Sequence, residues 1–352
     1  MLLKDLTLLN GVSGNEDAVR NYIKERAAAS GAKISIDSIG NLIALKPGKK
    51  PKFKVMLSAH MDEVGFMVTG YGENGTLKFK NIGGIDERIL PGKRVLVGSS
   101  AIPGVIGCKP IHMQERDERG NNIKLKSMYI DIGADKKEEA EKAAPPGDYI
   151  AFHSEFTEFG DGCVKAKALD DRVGCAIMLE MLSRQFEFDL YACFTVQEEI
   201  GLRGSEVAAY CVNPDIALVI EGTTCSDVPG VEKQEYSTIL GKGAALAIMD
   251  RTAYYDRNLV RFIHEAAIKN NIKIQYKQTA TGGNDAGKIQ RSRSGVKVAA
   301  LSVPCRYIHS PVSMMSKWDF DACRDIVGCV LGEFSENQGM IESIKQGGQA
   351  NV

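Results

Sequence analysis

The chain has 352 residues, 44 Lys and Arg against 45 Asp and Glu, and a hydrophobic fraction of 44%. That length and apolar content suit one large domain or two to three smaller ones. A formal net charge of -1 gives no electrostatic footing for nucleic acid or an anionic membrane as a partner, and no apolar run is long enough to span a bilayer.

The opening, MLLKDLTLLNGVSG, has one lysine and a short apolar run and moves into a turn, so it does not read as a signal peptide. SGNEDAVRNYIKERAAAS then predicts a helix, with Ser13 as its cap and Glu16 at capping-box spacing. Strands follow at AKISIDS and NLIALKPG. KFKVMLSAHM is apolar almost throughout, as expected of a strand covered on both faces. Nine cysteines lie scattered, several inside apolar runs such as YACFTV, and there is no CxxC. This predicts reduced, buried thiols in a cytoplasmic chain rather than a disulfide framework or a thiolate zinc cluster.

The texture changes over residues 67–161. Short strand-like runs (GTLKFKNIG, RVLVGSS, GVIGCK, IKLKSMYIDIG, DYIAFHSEF) are separated by Gly, Pro and charged turns, with KKEEAEKAA as a short helix. The pattern predicts a small β-rich, barrel-like domain. Strands and helices alternate again from Asp170 onward: DRVGCAIMLEMLSRQ, FDLYACFTV, GSEVAAYCV, DIALVIEG, NLVRFIHEAAIKNN, IKIQYKQ, the turn TGGNDAGKIQRS, GVKVAALSVP and DFDACRDIVGCVLGEF. Such alternation predicts an α/β fold with a mixed, largely parallel central sheet flanked by helices. The expected partition is a catalytic domain in two parts, residues 1–66 and 162–352, with residues 67–161 inserted between them. The polar tail after Phe334 is expected to fray.

Acids and imidazoles fall at the predicted strand ends. His60 and Asp62, two apart in LSAHMDEVG, are expected to share one strand face, so that His60 binds a metal through one nitrogen while Asp62 accepts from the other. A surface His–Asp pair is the plain alternative. Asp170 and Asp171 open a helix in KAKALDDRVG, where like charges side by side invite a cation, or simply cap the helix. Glu198 and Glu199 follow the strand YACFTVQ. One can ligate while the other serves as a general base, or both form a solvated turn. Glu221 ends IALVIEG, and His309 follows VPCRYI. Asp227 reads as a turn residue before Pro229. Together the two histidines and the acids suit zinc, manganese or cobalt, and a pair of such cations can activate water for amide hydrolysis. There is no GxSxG elbow, Walker A loop or HExxH helix.

The strings SAHMDEVGFMV, KAKALDDRVGC, FTVQEEIGLRGS, VIEGT, GGNDAG and VPCRYIHSPV, in this order, resemble the M42 dinuclear metallo-aminopeptidases, the glutamyl- or tetrahedral-aminopeptidase-like family. Some of its members have carried an endoglucanase label. The resemblance implies that Asp170 bridges two divalent cations. His60 and Glu221 would complete one site, and Glu199 and His309 the other. Glu198 would be the general base and acid, Asp62 would orient His60, and Asp171 would support Asp170 beside a peptide bond often cis in related enzymes. Two departures are Glu221, where many members carry Asp, and Ser313, where Glu often follows HSPV. The resemblance also implies that the β-rich insertion serves dimerisation, that dimers can build a tetrahedral dodecamer, and that short peptides are the substrates. Competing readings are a dinuclear amidase or deacylase, a glycoside hydrolase, and a metal-stabilised self-assembling scaffold.

Overall fold

The computed structural model describes residues 2–116, 118–278 and 282–347. Thr281, the first residue of the TGGNDAGKIQRS turn, and the tail residues 348–352 lie outside the described residues.

A large mixed sheet forms the body, and four parallel strands form its centre, in the order Asp189–Thr195, Lys54–His60, Ile216–Thr224 and Lys297–Arg306. These are the most apolar runs of the chain, and all four are buried along most of their length. Burial on both faces is what a parallel sheet requires, because crossover helices cover it. Antiparallel strands extend the sheet on both sides: Leu42–Lys46 and Lys33–Ile36 at one edge, and Ser313–Ser316, Cys163–Ala166 and Thr157–Phe159 at the other. The helix Leu169–Leu182 is buried on nearly every side, which explains why its sequence is apolar around its whole circumference rather than along one stripe.

The β-rich stretch closes into a barrel of six antiparallel strands: Gly65–Tyr71, Leu77–Ile82, Met128–Asp131, Ile102–Cys108, Arg94–Val97 and Tyr149–Phe152. It has a core of its own. Phe66 sits at the centre, edge-on to Phe79 at 5.1 Å and to Phe152 at 5.2 Å between ring centroids. The cysteines are all free, and Cys175, Cys193, Cys225, Cys305 and Cys323 are buried.

Two local expectations are overturned. The helix after Ser13 begins at Asp17 with no side-chain cap. Ser13 instead donates to Asp62 (2.6 Å), and Glu16 accepts from the backbone N–H groups of Gly14 (2.8 Å) and Gln197 (3.1 Å). Tertiary partners have taken both side chains from the helix end. The tail after Phe334 does not fray where it is described. The helix Lys317–Glu336 is followed by Gly339–Lys345, which buries Met340, Ile341 and Ile344. Those apolar residues are spaced for one helical face and outweigh the polar composition.

A buried ionic cluster ties the N-terminal segment to the sheet. Lys167 donates to Glu63 (2.6 Å) and to the carbonyl of Leu9 (2.8 Å). Arg172, fully buried, donates to the carbonyls of Met61, Leu6 and Leu9 and lies 3.4 Å from Glu63. Removing Lys167 leaves Glu63 with the longer 3.4 Å contact to Arg172 as its only cation among the described residues, and the buried Lys site empty of its charge. Lys167→Met is therefore expected to cost about 3–5 kcal/mol, read as a lowered urea midpoint at fixed protein concentration. An unchanged midpoint would refute this role for Lys167.

Candidate active site

The carboxyl ends of the four parallel strands converge on one rim, where open α/β sheets place their chemistry. His60 is the last residue of its strand, and Glu221 lies near the end of Ile216–Thr224. Glu198 and Glu199 follow Asp189–Thr195, and His309 follows Lys297–Arg306. Asp170 and Asp171 open the helix Leu169–Leu182, with non-helical backbone angles and a cis peptide bond between them. The loops of this rim hold several non-glycine residues at positive φ, namely Ala168, Gln197, Leu202, Tyr307 and His309, and such conformations tend to gather at functional sites. Gly222 is there for space: a Cβ on it would stand 2.8 Å from the Cα of Asp170.

Asp170 lies between the histidines. Its Oδ1 is 3.4 Å from His60 Nε2, and its Oδ2 is 3.7 Å from His309 Nε2. Glu221 stands 3.6 Å from His60 Nε2, Glu199 stands 3.4 Å from His309 Nε2, and Glu198 stands 4.0 Å from His60. Asp171 is engaged by backbone donors. Its oxygens accept the backbone N–H groups of His60 (3.2 Å) and Gly174 (3.0 Å), so it fixes the strand end and the helix start.

The strand stops at His60, so strand spacing does not set the His60–Asp62 pair, although the imidazole and the carboxylate still meet. His60 Nδ1 lies 3.0 Å from the Asp62 carbonyl oxygen and 3.4 Å from its carboxylate. The Asp62 carboxylate mainly holds the acidic turn: it accepts from Ser13 Oγ, Glu198 N (3.0 Å) and Glu199 N (3.1 Å). His309 is oriented from the barrel side, its Nδ1 lying 3.0 Å from the carbonyl oxygen of Gly84. Asp227 is outside the site, paired through both oxygens with Arg306 at 2.7 and 2.8 Å.

Sequence reading did not find Ser13, Glu16 or Asp285. Asp285 is fully buried beneath the rim and accepts from Thr195 Oγ1 (2.6 Å). Only its place in the GGNDAG string marked it.

The electrostatics are those of a cation site. Burial pushes the Glu198, Glu221 and Asp171 carboxyls well above the ordinary range and Glu199 up to about 7, and neighbouring carboxylates add to each effect. Burial opposes charge on the imidazoles. Contacts with Asp170 and nearby acids outweigh it, raising His60 strongly and His309 to about 9. Asp170 goes down despite burial, because the two neighbouring imidazoles favour its charged form. Asp170 Oδ1 and Glu221 Oε1 are buried with no hydrogen-bond partner among the described residues. Potential ligand atoms within 4.8 Å of one another group as Asp170–Glu199–His309, His60–Asp171–Glu221 and His60–Glu198–Glu199. Acceptors without donors, beside imidazoles and surplus buried acid, fit divalent cations.

The site opens into a cavity of about 480 Å³, lined also by Thr223, Thr252, Lys277, Asn284 and Ile308. Lys288, Arg291 and Arg293 do not line it. Lys288 pairs with Glu206 at 2.6 Å, Arg291 donates to Gly287 O, and Arg293 stacks over Tyr210.

Known proteins share this fold. A lysyl aminopeptidase of Pyrococcus furiosus is 33% identical over 340 residues, covering 94% of this chain and 96% of the relative. A glutamyl aminopeptidase of Lactococcus lactis is 31% identical over 329 residues, covering 90% and 91%. Among solved structures, an aminopeptidase of Desulfurococcus kamchatkensis superposes with a TM-score of 0.92 at 36% identity, over 98% of this chain and 96% of that one. The TET1 peptidase of Pyrococcus horikoshii, which can assemble into a tetrahedron or a large octahedral shell, gives 0.82 at 35% identity, over 94% and 98%. The sequence profile of the M42 glutamyl aminopeptidases matches residues 40–326, and the chain belongs to that family of peptidases.

Proposed function

We propose that the enzyme removes the first residue of short peptides, using a water activated between two divalent cations. One observation carries the reading: Asp170 offers one oxygen toward each histidine, with Glu221 and Glu199 on either side. His60, Asp170 and Glu221 would hold one cation, and Asp170, Glu199 and His309 the other. Asp171 also falls near His60 and Glu221, but backbone donors occupy both of its oxygens, which favours Asp170 as the shared ligand. The mixed imidazole and carboxylate set favours zinc, with cobalt or manganese as substitutes.

Divalent cations bound there supply Lewis acidity, lowering the pKa of a water and offsetting charge that grows on the scissile carbonyl oxygen. Glu198 stands beside the cluster, 4.0 Å from His60, and no backbone donor reaches its carboxylate among the described residues. It takes a proton from the attacking water as the carbon–oxygen bond forms. It returns that proton to the amide nitrogen as the carbon–nitrogen bond breaks, so acid and amine leave together. Asp62 holds the turn that aims Glu198 and Glu199, and Asp171 holds the His60 strand end.

The expected bounds 67–161 shift, because Phe66 packs in the barrel core and Thr157–Phe159 pairs within the large sheet. In this reading the sheet and its helices make up the catalytic unit, and the barrel, from strand Gly65–Tyr71 to strand Tyr149–Phe152, the unit for self-association. The barrel exposes Val105, Ile111, Met113 and Tyr129, apolar surface that suits a dimer. A TET1 relative solved as a dodecamer, 33% identical with a TM-score of 0.83, supports the same extension here. No helix among the described residues is long and apolar enough to cross a membrane, and free thiols suit a cytoplasmic enzyme.

Glu198→Gln is expected to keep its metal and lose about 10²–10⁴-fold in kcat on a free-amino tripeptide. Full turnover in that variant would remove Glu198 from the chemistry, and cleavage confined to N-blocked peptides would favour a deacylase. Asp170→Asn should weaken both cation sites together in equilibrium dialysis; two sites of native affinity would refute the bridge. Metal uptake should also release protons. In the metal-free chain Glu199 keeps its proton up to about 7 and His309 up to about 9, and a bound cation displaces both. Cation affinity therefore rises as pH increases through this range. Titration calorimetry at pH 6.5, in buffers of different protonation enthalpy, measures the release, and an identical heat in all buffers would contradict it.

A further inference from the structure

We propose that the side-chain amide of Asn284 donates a hydrogen bond to a backbone carbonyl oxygen of the bound peptide, holding the substrate against the cation cluster. This rests on the aminopeptidase reading above, which leaves open what holds the peptide chain itself. Asn284 lies just before the short helix Ala286–Gln290 and lines the same cavity as the acids and histidines. Its neighbours fix the turn. A Cβ on Gly283 would stand 2.2 Å from Thr252 Cγ2, and one on Gly287 2.4 Å from Thr252 Cβ, so glycine at both positions lets the turn pack closely on Thr252. From below, the fully buried Asp285 ties it to Thr195, the last residue of a central strand.

Hydrogen-bond accounting assigns each polar atom of the Asn284 amide. Oδ1 lies 3.0 Å from the backbone N–H of Ala286, which can only donate, so the oxygen faces that way. Nδ2 lies 3.1 Å from the Tyr255 hydroxyl. Tyr255 is buried, and burial with Asp250 beside it holds the phenol well above its usual range, so it keeps its proton. That single proton goes to Asp250 Oδ2 at 2.5 Å, so the hydroxyl oxygen accepts from Asn284 Nδ2. Asp250 is itself fixed, its Oδ1 accepting from Thr252 N (2.6 Å), Thr252 Oγ1 (2.9 Å) and Ala253 N (2.9 Å). The hydroxyl proton of Thr252, the neighbouring wall residue, is thereby spent. The relay Asp250–Tyr255–Asn284 uses one of the two hydrogens on Nδ2. The other meets no acceptor among the described residues, on a half-buried side chain in the cavity wall. A fixed, uncharged donor suits an uncharged acceptor, and a peptide entering this cavity brings carbonyl oxygens with it.

Removing the donor and the acceptor in turn tests the contact. The probes are trialanine amide and three analogues in which a methylene replaces each carbonyl in turn, bound to the metal-loaded Glu198→Gln enzyme. Asn284→Ala and Asn284→Asp are introduced separately into that background. Both lack the donor, and the second keeps an oxygen for the Ala286 N–H. With both metals retained, the intact peptide should bind each variant about fivefold more weakly. Each ligand is compared only between enzyme forms, so an analogue's own change in affinity cancels. For one analogue the loss should vanish, because the oxygen that Asn284 reaches is already gone. The first-carbonyl analogue would identify the scissile carbonyl, and either of the others a carbonyl further along the chain. An intact peptide that binds the variants at full affinity, or a fivefold loss that persists with all three analogues, overturns the role of Asn284 and leaves the aminopeptidase reading intact. Failure of the wild type to cleave any free-amino peptide overturns that reading itself, and this inference with it.

Discussion

Burying several carboxyl groups within a few ångströms of one another is the constraint around which this protein is built. Asp62, Asp170, Asp171, Glu198, Glu199 and Glu221 share one rim, with Asp285 directly beneath. In a low-dielectric interior such a cluster is stable only if the charge is neutralised by protons, by hydrogen-bond donors or by cations. The chain uses donors for some members and leaves others without them. Asp62 is saturated by Ser13 and two backbone N–H groups, and Asp171 by two more. Asp170 Oδ1 and Glu221 Oε1 receive none. Asp285 Oδ1, beneath the rim, also has no partner among the described residues, so unpaired acceptors extend from the rim into its floor.

The rigidity of the surroundings follows from the same constraint. A carboxyl displaced by an ångström would lose its partners and keep its desolvation cost. The rim is therefore locked from several directions: central parallel strands below, a nearly all-apolar helix behind Asp171, and the N-terminal segment laid across the acidic turn. The Glu63–Lys167–Arg172 cluster anchors that segment, so residues far from the reacting centre in sequence help hold Glu198 in place.

Much of this was legible in the sequence because the signals were local. The continuous apolar run KFKVMLSAHM identified a covered parallel strand, and short runs broken by turns marked the barrel. Acids and imidazoles just beyond apolar strands lay where sheet geometry gathers them. The misreadings came from partners that are distant along the chain. Ser13 and Glu16 have the spacing of a capping box, but Asp62 and Gln197 claim them instead. His60 and Asp62 have strand spacing, but the strand ends between them. Lys288, Arg291 and Arg293 sit near a site motif and turn outward, while Lys277, with no motif to mark it, reaches the cavity across a sheet edge. No local pattern records which way a loop turns after it leaves its strand.

The contact between His309 and the barrel joins the insertion to the candidate site. Gly84 lies in the loop after the barrel strand Leu77–Ile82, and its carbonyl oxygen engages the imidazole nitrogen opposite the cluster. That carbonyl accepts a hydrogen bond from Nδ1–H, so it favours the tautomer in which the other nitrogen has a free lone pair. The imidazole thus comes from one body and its proton placement from another. A force that shifts the barrel against the sheet, including one transmitted through a neighbouring copy, would reach the ligand set directly through a single hydrogen bond.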